Sequence, residues 1–308
     1  MALSQIAWMD GKIIPLEEAA INIFSPTVQY GHGGFEGIRF YETGAGPAVF
    51  RIQEHWERFF SHTAQELAME IPYSADDLTA AVIGLIRATG MREGYIRPTI
   101  VYPEPELGLR FQQKKVSVAI VLSSWEKKLA QDSLAVKISP VMRNHPDAVN
   151  MRAKVTGYYQ NPIRALRDAS QDGFDEAILL DSEGNVVEGS AENIFLVQKL
   201  WTGTKALFTP RKGAILPGIT RGTVMALARA EGYIVNDCTS FKASNLFLSD
   251  EIFLCGTAME ILAVTAIDGN MIGNGKTGEV TSHISQLYSD VIHGRDERYL
   301  HWLTLVNS

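Results

Sequence analysis

The sequence predicts an α+β or mixed α/β chain with strands and helices mixed through both halves. Three observations carry this. Apolar residues recur at helical spacing in four stretches, short β-branched runs of strand length alternate with them, and successive strand runs stand at hairpin-like spacing. No internal repeat or low-complexity tract interrupts the pattern.

The elements follow in chain order. The glycine-rich stretch YGHGGFEGIRFYE (30–42) leads into an alternating run from Phe35 to Tyr41, which reads as a strand entered through a tight glycine turn. Glu36 stands where GxGxxG needs its third glycine, so a dinucleotide loop is a poor match and a structural bend serves as well. In EHWERFFSHTAQELAME (54–70), Trp56, Phe59, Phe60, Thr63, Ala64 and Leu67 share one helical face. His55 and His62, seven apart, read as part of a solvated face rather than a metal pair. DDLTAAVIGLIRATG repeats the period through Leu78, Ala81, Val82, Leu85 and Ile86, with Asp76 as cap and Gly90 as stop. Strands are expected at 95–102, 116–122, 134–141, 176–181, 193–197 and 251–256, with DSEGN (181–185) as a turn. TRGTVMALARAEG (220–232) and GEVTSHISQLYSDVIHG (278–294) read as helices. SSWEKKLAQDS (123–133) is the most polar connector after a strand, and we place the domain boundary there: an N-terminal domain over 1–124, a linker over 125–133 and a C-terminal domain over 134–308.

Composition excludes several classes. The 308 residues are 46% hydrophobic and 20% charged, ordinary for a globular protein with a sizeable core. The net charge is -7 with no basic run, which argues against nucleic acid as a partner. No apolar stretch reaches the roughly 20 residues that a membrane span needs, and MALSQIAWMDGK lacks the form of a signal peptide. Cys238 and Cys255 form no CxxC pair and read as reduced thiols of a cytoplasmic protein. The seven histidines show no metal-ligand spacing, so no metal is expected.

Four stretches could carry chemistry. NMRAKVTGYYQN (150–161) puts Lys154 four and five positions before two tyrosines, either a surface lysine or an amine for covalent work. VVEGSAENIF (186–195) sets Glu188 and Glu192 beside a glycine, and alone they are two loop acids. In AILPGITRGT (214–223), Pro217-Gly218 breaks the chain and Ile219, Thr220 and Arg221 open a helix, an ordinary start or an anion site. LCGTAMEI (254–261) ends a strand in Gly256-Thr257-Ala258, a turn with amides and a hydroxyl to offer. Together these supply what pyridoxal phosphate (PLP) needs: an amine for its aldehyde, a carboxylate for its pyridine nitrogen, a tyrosine, and donors for its phosphate. The residues permit that assembly without establishing it.

The motif order decides among readings. AK-x4-Y, then EG-x2-EN-x-F, then LPGITR, then GTA, with YGHGGFEGIRFYE and YIRP before them, resembles the branched-chain aminotransferases of PLP fold type IV, from WMDGK to the end of the chain. The resemblance implies two α+β domains of mixed sheets with flanking helices, of the D-amino-acid-aminotransferase type, the C-terminal one carrying the PLP lysine. It implies PLP as cofactor, amino acids and 2-oxo acids as partners, and a homodimer open to further assembly. Lys154 matches the Schiff-base lysine, Tyr159 the tyrosine on the ring oxygen, and Glu188 the partner of the pyridine nitrogen. Arg58, Ile219, Thr220 and Thr257 match the phosphate site. Tyr95, with the Thr257 and Ala258 amides, matches the α-carboxylate site, and Phe35, Tyr30, Arg97 and Trp125 the substrate pocket, Tyr30 reaching the neighbouring subunit's site. The implied reaction is transamination of leucine, isoleucine and valine with 2-oxoglutarate, in biosynthesis or degradation. The chain departs from the family at YPEPELGLRFQQ (102–113), where Arg110 and Phe111 replace the usual pocket-loop residues, and at the bulky NMRAK. Competing readings are a D-amino-acid or (R)-amine transaminase, an aminodeoxychorismate lyase, and an inactive PLP-binding protein. YIR at 95–97, with Tyr30 and Phe35, favours the branched-chain type; Lys154, Tyr159 and Glu188 together argue against inactivity.

Overall fold

A computed structural model describes residues 2–110, 115–124, 133–211 and 213–307. The chain packs as two compact units. One comprises the described residues of Met1–Lys128 with Arg152–Tyr158 and Asp290–Ser308; the other comprises those of Leu129–Met151 and Tyr159–Ser289. The segment bearing Lys154 therefore packs with the first unit, whereas the sequence reading groups it with the C-terminal half. Most of the linker expected over 125–133 lies outside the described residues.

The first unit is built on an eight-stranded sheet. Its order is Leu303–Leu305, Gly46–Phe50, Ile38–Thr43, Gly94–Val101, Ser117–Ser123, Leu3–Met9 and Lys12–Pro15, with Gly33–Phe35 also pairing with Gly94–Val101. Every pairing is antiparallel. The expected strand over 35–41 is thus two, interrupted at Glu36-Gly37. Helix Ala75–Thr89 contributes Leu78, Val82, Leu85 and Ile86 to the core, along with Ile96, Ile100, Val118 and Ile120 from the sheet. Its cap is Ser74, not Asp76. The Ser74 hydroxyl accepts from the Asp77 amide at 3.1 Å while the Asp77 carboxylate accepts from the Ser74 amide at 2.9 Å, a reciprocal box that Asp76 does not match.

The second unit holds a nine-stranded sheet in the order Val186–Glu188, Glu176–Leu180, Ser133–Ile138, Glu260–Ile267, Glu251–Gly256, Asn193–Lys199, Lys205–Pro210 and Ile234–Thr239, with Asn270–Met271 pairing with Glu260–Ile267. Ser133–Ile138 runs parallel to both neighbours, and Lys205–Pro210 parallel to Ile234–Thr239. Parallel neighbours need a crossover, and helices supply it. Gln160–Gln171 links Ser133–Ile138 to Glu176–Leu180, and Ile219–Ala230 links Lys205–Pro210 to Ile234–Thr239. The first of these helices has a faint sequence signal because its buried residues are only Pro162, Ala165 and Ala169. The DSEGN turn forms as expected, with Val186 paired to Leu180 across it. Among the described residues, no helix is long and apolar enough to cross a membrane.

Candidate active site

In the first unit the glycine-rich stretch docks the lysine segment. Gly31 adopts φ +67 at the end of the helical turn Pro26–Tyr30, and a Cβ there would stand 2.8 Å from the Gly157 Cα. Its carbonyl accepts from the Gly157 amide at 3.0 Å and from the Thr156 hydroxyl at 2.6 Å. Phe35 donates its amide to the Lys154 carbonyl at 3.1 Å, and the Lys154 amide donates to the Thr63 hydroxyl at 3.0 Å. A Cβ on Gly34 would overlap the Thr63 methyl. These glycines therefore bring two backbones close enough to hold Lys154 by its own main chain on both sides. The lysine itself is half-buried, with Nζ 4.9 Å from the centre of the Phe35 ring.

Thr63 reaches that position through a helix irregularity. The stretch expected as one amphipathic helix begins as the α-helix Ile52–Arg58 and becomes a π-helical turn over Phe59–Ala64. Residues five apart stand about 140° apart on an ideal α-helix, but a π turn closes at that spacing. Arg58 and Thr63 both turn inward, 6% and 0% exposed.

Arg58 meets a buried acid. Its Nε and Nη2 donate to the two Glu36 oxygens at 2.7 and 2.8 Å. His55 Nδ1 and the Gly37 amide share Glu36 Oε2 at 2.8 and 3.2 Å. Burial pushes the Glu36 carboxyl up, but the Arg58 charge and the hydrogen bonds from Arg58 and His55 outweigh it and hold it far below the usual carboxylate range. Burial lowers His55 despite Glu36, so the ring is neutral and donates from Nδ1. The expected solvated histidine face is thus corrected: His55 is 2% exposed, part of a buried polar cluster.

Beside this cluster stands an aromatic wall. Tyr95 and Arg97 share a face of the strand Gly94–Val101 by its two-residue period. Arg97 donates to the Tyr95 hydroxyl at 3.0 Å, and its guanidinium lies 4.5 Å from the Phe35 ring centre and 5.1 Å from that of Tyr95. Gly37 leaves room for the Tyr95 hydroxyl, which a Cβ would overlap. Tyr30 is 43% exposed, its hydroxyl accepting from the Gly108 amide at 3.2 Å. Trp125 lies outside the described residues.

In the second unit Glu188 ends the strand Val186–Glu188, 5% exposed. Arg143 donates to one oxygen at 2.7 Å; the Asn193 side-chain amide and the Leu216 backbone amide donate to the other at 3.2 Å each. Asn193 also donates to the Leu216 carbonyl at 3.1 Å, and a Cβ at Gly218 would overlap its oxygen. Asn193 thereby ties the acid to the loop that opens the helix Ile219–Ala230. Gly218 caps that helix without a side chain, and Thr220 is buried in its first turn. Arg221, 1% exposed, points away from the first turn, donating to the Thr209 hydroxyl and the Pro210 carbonyl at 3.0 Å each. Thr257 and Ala258 form the turn between Glu251–Gly256 and Glu260–Ile267, half-buried. Tyr159 closes the turn Thr156–Tyr159 and caps the helix Gln160–Gln171, also half-buried.

Glu192 is set apart from Glu188 by its neighbours. Burial pushes its carboxyl well above the usual range, and the neighbouring Glu176 charge raises it further. It hydrogen-bonds Glu176, which in turn accepts from the Ala177 and Ser190 amides at 2.6 and 3.2 Å. The structure thus groups Lys154, Phe35, Arg58, Tyr95 and Arg97 in one unit, and Glu188, Tyr159, Ile219, Thr220, Thr257 and Ala258 in the other. Sequence reading misses Glu36, Thr63, Arg143 and Asn193 as supports. Asn193 lies within the EN-x-F motif, but Arg143 is 45 residues from Glu188 and carries no local signal.

The model of the family Amino-transferase class IV matches residues 33–267. The chain belongs to the class IV aminotransferases. This class IV aminotransferase is 36% identical over 305 residues to the branched-chain-amino-acid aminotransferase of Pseudomonas aeruginosa, covering 98% of this chain and 97% of that one. Among solved structures it resembles the branched-chain aminotransferase of Thermoproteus uzoniensis with norvaline, at TM-score 0.92 and 37% identity over 98% of this chain and 99% of that one. It also resembles the branched-chain amino acid aminotransferase of Escherichia coli, at TM-score 0.93 and 32% identity over 99% of this chain and 100% of that one. Other solved branched-chain aminotransferases that it matches are complexed with N-(5'-phosphopyridoxyl)-L-glutamate, with pyridoxamine 5'-phosphate and with 4-methylvaleric acid.

Proposed function

We propose that this chain is a PLP-dependent transaminase that moves the amino group of L-leucine, L-isoleucine or L-valine to 2-oxoglutarate, and returns it from L-glutamate. The observation that carries the substrate class is the Phe35–Tyr95–Arg97 stack, an aromatic wall for an aliphatic side chain with a guanidinium laid across it. Full-length likeness to branched-chain aminotransferases supports the same reading.

The donor set suits PLP. Glu188 is buried and ion-paired with Arg143 at 2.7 Å, a carboxylate placed as the partner of the pyridine nitrogen requires. PLP, when bound, supplies the sink for the electron pair left at the substrate α-carbon. Lys154 provides the reacting amine and carries the α-carbon proton. Tyr159 directs its hydroxyl to the ring oxygen. Arg58, the first-turn amides at Ile219 and Thr220, and Thr257 hold the phosphate, using a charge-assisted fork and a helix start. Tyr95 with the Thr257 and Ala258 amides takes the α-carboxylate, while Phe35, Tyr30, Arg97 and Trp125 line the side-chain pocket.

The exposed apolar residues Ile23, Phe24, Val28, Tyr30, Leu107 and Leu109 support a homodimer. Their segments are joined through Glu106 to Phe24 at 3.0 Å and Gly108 to Tyr30 at 3.2 Å, and Tyr30 reaches the neighbouring subunit's pocket from this surface. The free thiols of Cys238 and Cys255 suit a reducing cytoplasm. The test is a donor panel read by cofactor absorbance. The yellow protein is expected to bleach with L-leucine and not with D-alanine; the reverse preference would refute the assignment.

Arg97 has a second task, because the same apolar pocket must admit the γ-carboxylate of glutamate, whose burial unpaired is costly. Arg97→Leu is expected to weaken 2-oxoglutarate far more than 4-methyl-2-oxopentanoate in titrations of the pyridoxamine phosphate form. Loss of a buried charge-assisted contact costs about 2–5 kcal/mol, roughly thirtyfold or more in affinity. Equal weakening of both keto acids would leave Arg97 as a brace for Phe35 and Tyr95. Exposed Arg110 would then be the next cation to test, ahead of Arg39, which is 5% exposed and donates to the Gly94 carbonyl at 3.2 Å.

A further inference from the structure

We infer that Glu36 is a positioning residue that fixes the Arg58 guanidinium for the cofactor phosphate, an inference that rests on the reading of Arg58 as a phosphate ligand. A guanidinium has five N–H donors in one plane. Glu36 takes Nε and one hydrogen of Nη2 in a two-point contact, at 2.7 and 2.8 Å. That contact locks the plane of the guanidinium and so sets the direction of its other donors. The side chain is held before any ligand arrives, so binding does not have to order it.

The acid is itself held in place. Its carboxylate is 0% exposed, and His55 Nδ1 and the Gly37 amide both donate to Oε2. His55 is neutral, so it orients Glu36 without competing with Arg58 for its charge. The Arg58–Glu36 pair is thus joined at Oε2 by two neutral donors, His55 and the Gly37 amide. A buried arginine with no anion would be costly, and Glu36 keeps Arg58 charged and inward in the absence of phosphate.

Position in the chain extends the role. Glu36 interrupts the strands between Phe35 and Gly37, its amide donating to the Pro98 carbonyl at 2.9 Å. Phe35 forms the pocket wall under Arg97 and also holds the Lys154 carbonyl. One residue therefore joins the phosphate arginine to the strand break that sets the pocket wall, which explains why a carboxylate, rather than a third glycine, stands in YGHGGFEG.

The experiment compares PLP with pyridoxal, which lacks the phosphate, on the parent, Glu36→Gln, Glu36→Asp and Arg58→Gln proteins. Cofactor loss from the holoenzyme on dialysis and the dissociation constants on reconstitution are measured, with thermal unfolding as a check of folding. Glu36→Gln is expected to weaken PLP about tenfold or more, the effect of losing a charged hydrogen-bond partner, and to leave pyridoxal unchanged. Glu36→Asp keeps the charge but is too short to hold both nitrogens, and it should lose the same preference in part. The double variant Glu36→Gln/Arg58→Gln should bind PLP no more weakly than Arg58→Gln. Equal weakening of PLP and pyridoxal, or tighter PLP binding by Glu36→Gln, overturns the inference. Should Glu36→Gln fail to fold, an unchanged preference for PLP in Glu36→Asp overturns it. Normal PLP retention by Arg58→Gln instead refutes the phosphate role of Arg58, a separate failure.

Discussion

Lys154→Ala is expected to abolish the long-wavelength absorbance of the bound cofactor and to cut turnover by about a thousandfold or more, because the role proposed for Lys154 makes it both nucleophile and proton carrier. The fold should survive. The contacts that hold this position, from the Lys154 amide to Thr63 and from Phe35 to the Lys154 carbonyl, are made by main-chain atoms that alanine retains. The side chain lies 4.9 Å from the Phe35 ring centre, and a cation–π contact amounts to about 0.5–2 kcal/mol. Unfolding temperature should therefore change little while activity collapses. Added small alkylamines are expected to restore part of the turnover, since they replace the missing base. Near-parental turnover without an added amine would remove Lys154 from the role.

Glu188→Gln is expected to bind cofactor yet to transaminate about ten to a hundredfold more slowly, the range for losing a hydrogen bond to a charged group. The cause is electrostatic. Glu188 is ion-paired with Arg143 at 2.7 Å, and the proposed role has it shared with the ring nitrogen. A neutral amide leaves Arg143 uncompensated, which further disfavours a proton on that nitrogen. Glu192 is a poor substitute because burial and the neighbouring Glu176 charge both disfavour its charged form. Rapid single-turnover measurement with L-leucine tests this. An unchanged rate, with the nitrogen still protonated, would assign that proton to another group.

The two variants differ in how visible their residues are in the sequence. Lys154, Tyr159 and Glu188 sit in local motifs whose order along the chain carries the resemblance. Their supports do not. Arg143 contacts Glu188 across 45 residues, Thr63 contacts Lys154 across 91, and Glu36 contacts Arg58 across 22. No local spacing encodes such pairs, because sheet register and the approach of separate segments create them. Even a strong local signal misled where packing intervened. The even period of 54–70 concealed a π turn, and His55, placed on a solvated face by spacing alone, is buried against Glu36.

The sequence by itself determined the α+β class, the long amphipathic helix over 76–90, the six strand runs, and the motif order of a class IV aminotransferase. Each depends on chemistry confined to a few neighbouring positions: period, β-branching, a motif. Only the tertiary structure decided that the Lys154 segment packs with the first unit, that the glycines of 31–34 serve close backbone approach, and that Arg58 is paired with Glu36. It also decided what two neighbouring acids face. Glu188 and Glu192 are alike in sequence, but one is ion-paired with Arg143 and the other lies against Glu176, because sheet register and loop packing bring those partners in from distant positions.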